Sequence, residues 1–237
     1  MELYKLLSLS FGIKADFSKI YDELSKLPGN TEKDKWVKDT FGMSERHVLF
    51  IKKEERSELV YVYFNPPHMN INFSLQRIAL TFNKQMITPE ETSPELLKKQ
   101  VRDFSKRMAL LMEKLSIRFL SHPFLHVEFV YYNDETDYSK LLKGIVYGSS
   151  KWDKAAIRKC TIGFTTGRET SPGKSEHVET IVEHWLKNEK FLFVSGTAQW
   201  DIMEHSDNNL EFFDKWISEI TENFQRILRR LKEGNKC

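Results

Sequence analysis

His126 and Glu128 lie two residues apart in Leu125-His126-Val127-Glu128-Phe129, where apolar and polar side chains alternate. In an extended strand that spacing sends both polar side chains to one face and Leu125, Val127 and Phe129 to the other. Glu179 and Glu183 alternate in the same way against Val178, Val182 and Leu186, and Thr197, Gln199 and Asp201 against Val194, Ala198 and Ile202. An imidazole gathered with several carboxylates can ligate a divalent cation or move protons in a hydrolysis. His126, Glu128, Glu179 and Glu183 are therefore the candidate metal ligands, and a metal-assisted hydrolase or nuclease is the activity they imply. Alternation alone generates the same set, because a sheet covered on one side leaves its other, polar face in water. No cofactor is named by the sequence, and whether the protein is an enzyme is left open.

Other spacings fail for stated reasons. Gly167-Arg168-Glu169-Thr170-Ser171-Pro172-Gly173-Lys174-Ser175 has the composition of a phosphate-binding loop, but five residues separate its glycines where four are needed. Two strand-like segments flank it, so it reads as a hairpin loop. His122 and His126 have the i, i+4 spacing of a helical zinc site, yet Pro123 favours an extended start and spoils the convergence. No Gly-x-Ser-x-Gly elbow is present. Cys160 sits among Ile157, Ile162 and Phe164 and reads as a buried small apolar residue; Cys237 carries no role. No catalytic residue is assigned.

A third class of chemistry would come from basic side chains. Lys99, Arg102 and Lys106 fall on the polar flank of one long helical pattern, and Arg226, Arg229 and Arg230 on that of another. Side by side, the two helices would form a ridge able to meet phosphates. Against this, Glu95 with Lys99 and Asp103 with Arg107 are i, i+4 pairs of an ordinary solvated helix surface. Nucleic acid therefore ranks below the other two readings.

The elements that must carry these residues recur. Asp16-Phe17-Ser18-Lys19-Ile20 returns as Asp137-Tyr138-Ser139-Lys140-Leu141, each after an alternating apolar stretch. Leu97, Val101, Phe104, Met108, Leu111 and Leu115 are spaced 4, 3, 4, 3, 4, as are Phe213, Ile217, Ile220, Phe224, Ile227 and Leu231. Two unlike landmarks in the same order predict an internal duplication, residues 1–118 and 119–237, the halves fused around a shared core. Each half reads strand, short helix, several strands, long helix. The first has strands over 3–11, 47–51, 59–64 and 70–82, a helix over 16–27 ended by Pro28-Gly29-Asn30, and a long helix capped by Ser93. The second has strands over 124–132, 157–165, 177–186 and 191–202, with Asp207 or Asn208 capping the last helix. The expected fold class is α+β: an antiparallel sheet with two long amphipathic helices on one face.

This order resembles that of a sporadically distributed prokaryotic family of about this length and unknown function. The likeness rests on Asp16-Phe17-Ser18-Lys19 after the first strand, on Leu125 to Asn133, on the strand 191–202 with its acidic break, and on Trp216, Ile217, Phe224 and Ile227 of the final helix. It covers nearly the whole chain. It implies a bacterial or archaeal cytosolic protein and transfers no catalytic residue.

Composition bounds what remains. In 237 residues, Lys+Arg 36 against Asp+Glu 34 gives a net charge of +2, too balanced for a chain-wide polyanion footprint. Two cysteines exclude a disulfide scaffold and point to a reducing compartment, the cytoplasm. Glu2 and a short apolar run make a poor signal peptide, and no stretch approaches the ~20 apolar residues of a membrane span. Without a spacing-exact catalytic motif, the sequence points first to a non-enzymatic binding or interaction module for a protein partner or small ligand. The heptad-like seams also allow a homo-oligomer.

Overall fold

The computed structural model describes residues 2–14, 18–41, 60–64, 69–74, 77–83, 94–114, 116, 121–148, 161–171, 174–188, 190–200 and 211–234. The chain is an α+β protein. Its first part runs β1 (Glu2–Lys14), α1 (Ser18–Ser25), α2 (Asn30–Phe41), β2 (Val60–Phe64), β3 (Met69–Ser74), β4 (Arg77–Asn83) and α3 (Pro94–Lys114). Its second part runs β5 (Ser121–Asn133), α4 (Tyr138–Gly148), β6 (Thr161–Ser171), β7 (Lys174–His184), β8 (Leu192–Trp200) and α5 (Glu211–Glu233). The strands form one sheet in the order β2-β3-β4-β1-β5-β8-β7-β6, with every neighbouring pair antiparallel. No helix among the described residues is long and apolar enough to cross a membrane.

The two central strands, β1 and β5, join the chain's two parts. Leu9 pairs with Val127 and Phe11 with Leu125, and all four side chains are buried. On the same face Leu125 continues to Ala198 and Val178, and Phe129 to Val194 and Val182. This is the face that α5 covers. Its buried stripe, Phe213, Trp216, Ile217, Ile220, Phe224, Ile227 and Leu231, follows the 3–4 spacing that a single helix face requires. Phe213 lies against Phe11 with ring centroids 4.9 Å apart, and Phe224 meets Phe129 and Tyr131 edge-on at 5.4 and 5.1 Å. Helix α4 adds Tyr138 against Tyr131, and α3 is tied to α5 by Arg102 and Asp214 at 2.8 Å. Glu211 and Asp214 open α5, and Arg230 and Lys232 close it, each set suited to the local end of the helix dipole.

Several boundaries differ from the sequence reading. Pro28-Gly29-Asn30 does not end a lone helix; Lys33 donates to the Gly29 carbonyl and a second helix, α2, begins at Asn30 with Glu32 in its first turn. The strand expected over 70–82 is a hairpin, β3 with β4, in which Ser74 pairs with Arg77. No Asn-Gly or Gly-x pair signals that turn in the sequence. The expected loop 167–175 is mostly ladder, because Arg168 pairs with Glu176 and Glu169 with Ser175 before the register shifts to Ser171 and Lys174. The expected strand 47–51, the caps Ser93, Asp207 and Asn208, Asp201, Cys160 and Cys237 lie outside the described residues.

Candidate functional site

The face of the sheet opposite α5 carries the polar set. Register places Ser10, His126, Thr197, Glu179 and Thr165 in one row across β1, β5, β8, β7 and β6. A second row runs Ser8, Glu128, Ser195, Ile181 and Gly163. Alternation along each strand puts these side chains away from the buried rows of Leu125, Val127 and Phe129. They are half-buried or exposed.

In the first row, on β5, His126 meets a neighbour at each ring nitrogen. Its Nε2 lies 3.3 Å from Glu128 Oε1, and its Nδ1 lies 3.1 Å from Thr197 Oγ1. The Nε2 contact is an ion pair when the ring is protonated, and the direction of the Nδ1 bond to the Thr197 hydroxyl follows the tautomer. The three side chains stand in line, Thr197, His126 and Glu128. A second pair on the same face, Ser175 Oγ and His177 Nε2 at 2.8 Å, stands near its edge.

Of the four metal candidates, the structure brings His126 and Glu128 together. Glu179 sits two strands away in the row of His126, about 10 Å at ordinary strand spacing. Glu183 belongs to a different row, opposite Phe193, and receives the Thr161 hydroxyl at 3.5 Å. Shared parity puts all four on one face; register decides that they do not converge. Among the described residues no group of three or more His, Cys, Asp or Glu is placed to hold a metal ion.

The chain Thr197, His126, Glu128 has the order of a nucleophile, base and orienter. Such chemistry also needs donors for an oxyanion beside the nucleophile. β5 is paired on both sides by β1 and β8, and β8 by β5 and β7, so their backbone N–H groups serve the ladder. What the arrangement does well is present fixed donors and acceptors.

The basic residues meet different fates. Arg102 is bound to Asp214, which with the neighbouring charges raises its pKa. Arg226 faces Glu222 at 3.9 Å and stacks over Phe164 at 5.9 Å. Lys99, Lys106, Arg229 and Arg230 are exposed. α3 and α5 are neighbours, and Arg102 bridges them through Asp214.

Two groupings escaped the sequence reading. Thr197 was legible as a face-mate of His126 but not as its partner, which only register supplies. Glu176 is buried under α5 with Trp216, Arg168 and Lys215 around its carboxylate. Its parity with Val178 and Val182 was the available signal. No protein-family model and no curated protein matches this chain.

Proposed function

We propose that this protein is a non-enzymatic binding module that presents the polar face of its sheet, opposite α5, to a protein partner or small ligand. The observation that carries this reading is His126, hydrogen-bonded to Thr197 and 3.3 Å from Glu128 in a polar row on the face opposite α5. A rotor-rich surface loses conformational entropy on binding; one already cross-bonded loses less.

The finer architecture belongs to the same proposal. Residues 1–118 and 119–237 are two copies of a strand, helix, three-strand, long-helix unit, fused through β1 and β5, with α2 added to the first. Each copy ends in a long amphipathic helix on the same face of the sheet. The element order of the two parts and a sheet order that mirrors itself about β1 and β5 support it. We place the protein in the cytoplasm on its cysteine usage.

The test compares wild type with His126→Ala, Glu128→Ala and Thr197→Val by native mass spectrometry of protein purified from its host and by affinity capture. A species retained by wild type and by Arg229→Ala/Arg230→Ala, but lost from the three sheet variants, supports the reading. Equal retention by all of them ends it. Elemental analysis on the same samples addresses the competing proposal: a bound divalent metal with phosphoester turnover lost in Glu128→Ala would establish a metal-assisted hydrolase instead.

A further inference from the structure

Among the described residues, one edge of the sheet is left open to another strand. β6 is the last strand in the order and runs eleven residues, whereas β2 at the far edge has five. Among the described residues only β7 pairs with it, so half of its backbone N–H and C=O groups point away from the sheet without a described strand to meet them. Natural edges are blunted by lysine, proline, inward charges or bulges, because a bare edge templates another strand. From Thr161 to Gly167 the strand has none of these: Thr161-Ile162-Gly163-Phe164-Thr165-Thr166-Gly167 contains no charged residue and no proline. Protection begins only at Arg168 and at the register shift between Glu169 and Ser171.

We propose that β6 is the self-association edge, pairing antiparallel with β6 of a second copy to continue the sheet. A two-fold axis through Thr165 sets Thr165 against itself and Gly163 against the partner's Gly167. Phe164 then falls opposite the partner's Thr166, and Arg168 and Glu169 fall opposite the partner's Ile162 and Thr161, so no like charges face one another. An antiparallel pair built this way is isologous and closes at two copies. The outward-facing positions on the polar side, Gly163, Thr165 and Gly167, are exposed and small, and nothing lies within 4 Å of a Cβ built on Gly163. Closure would also set two polar faces side by side, doubling the width of the polar surface. The inference does not depend on what that surface binds.

Sedimentation velocity on the full chain tests it, with Gly163→Lys/Thr165→Lys as the variant. Both new side chains have room in the monomer; in the pair the lysine at 165 meets its own copy in the partner, and the lysine at 163 lies diagonal to it. Wild type should dimerise, and the variant should show a dissociation constant raised by about tenfold or more with unchanged circular dichroism. Wild type that stays monomeric to about a hundred micromolar, or a variant that dimerises as tightly, overturns the proposal. Should the variant misfold, hydrogen exchange on wild type decides. Protection of the 161–167 amides that grows with protein concentration supports the pairing, and concentration-independent exchange sinks it. A monomer that instead takes up an added extended peptide at this edge replaces the second copy with a peptide partner. None of these outcomes touches His126 or Thr197, so failure here leaves the polar-face reading to its own test.

Discussion

The indole N–H of Trp216 on α5 donates to the carboxylate of Glu176 on β7, whose other oxygen lies 3.0 Å from Arg168 Nε on β6. The Glu176 side chain is 2% exposed. Arg168 reaches on to Glu219 of α5 at 2.7 Å, and Glu219 also accepts the Thr166 hydroxyl. One buried carboxylate thus ties the last helix to two edge-side strands. A charge taken out of water is tolerable only while its partners stay in place.

Removing that carboxylate should be costly. Glu176→Ala strands the Trp216 N–H and leaves a void, and it should lower unfolding free energy by about 3–5 kcal/mol. Glu176→Gln keeps an acceptor for the indole while losing the charge that Arg168 faces, so its loss should be smaller. Urea midpoints measured at pH 7 check the order; a Gln variant as damaged as the Ala variant would mean the indole bond contributes nothing.

Gly196 on β8 is required by the approach of α5. A Cβ there would stand 2.5 Å from Ile220 Cγ2 and 2.9 Å from its Cδ1, and Ile220 is itself buried. Gly196→Ala should therefore destabilise by about 1–3 kcal/mol through overpacking. Ile220→Ala alone should cost about 2–5 kcal/mol by leaving a cavity. In the double variant the methyl enters the space that Ile220 vacates, so its loss should fall below the sum of the singles. Strict additivity in a double-mutant cycle would show that the two residues do not meet.

How far the sequence carried can be judged from these same residues. The stripe from Phe213 to Leu231 and the alternation from Leu125 to Phe129 are local periodicities, and both reappear as buried faces. Glu176 shares its parity with Val178 and Val182, so its burial was readable, but Trp216 as its partner was not. That pairing spans 40 residues and depends on where α5 crosses the sheet. Parity puts His126, Glu128, Glu179 and Glu183 on one face, whereas the geometry of that face needed register. Thr197 could be set against His126, and Glu179 moved two strands off, only once β5, β8 and β7 were aligned. Helix α2 was missed because its opening, Gly29-Asn30-Thr31, has the composition of a stop.

Ser116 follows α3 with φ 54°, a left-handed conformation, while its N–H donates to the Glu113 carbonyl. An L-residue with a Cβ is held there at a cost, and glycine is the usual occupant of this position past a helix end. Ser116→Gly should raise stability by about 0.5–1 kcal/mol, net of the greater freedom glycine has in the unfolded chain. A melting temperature that drops would mean the serine side chain contributes more than the backbone strain.

Alkaline pH should weaken the fold through two tyrosines at the β1–β5 junction. Burial raises the Tyr131 phenol above its ordinary value, the hydrogen bond from Asn133 opposes this, and its own bond to Glu2 at 2.8 Å adds to the rise. Burial likewise pushes Tyr4 up to about 12, helped by the charge of Glu2 and opposed by the bond from Gln225. Both phenols therefore stay protonated in the folded chain at pH values where the unfolded chain has begun to lose their protons, near 10. Between there and about 12 the unfolded state binds fewer protons, so stability is fully present below pH 10 and falls as pH rises. Urea midpoints taken at half-unit steps from pH 8 to 11.5 should show that decline. Tyr4→Phe/Tyr131→Phe should begin from a lower midpoint at pH 8, having lost the bonds to Glu2 and Gln225, and then decline less steeply. Lysine titration lies in the same window but is common to both proteins, so the difference in slope isolates the phenols. Equal slopes would remove these two side chains from the account.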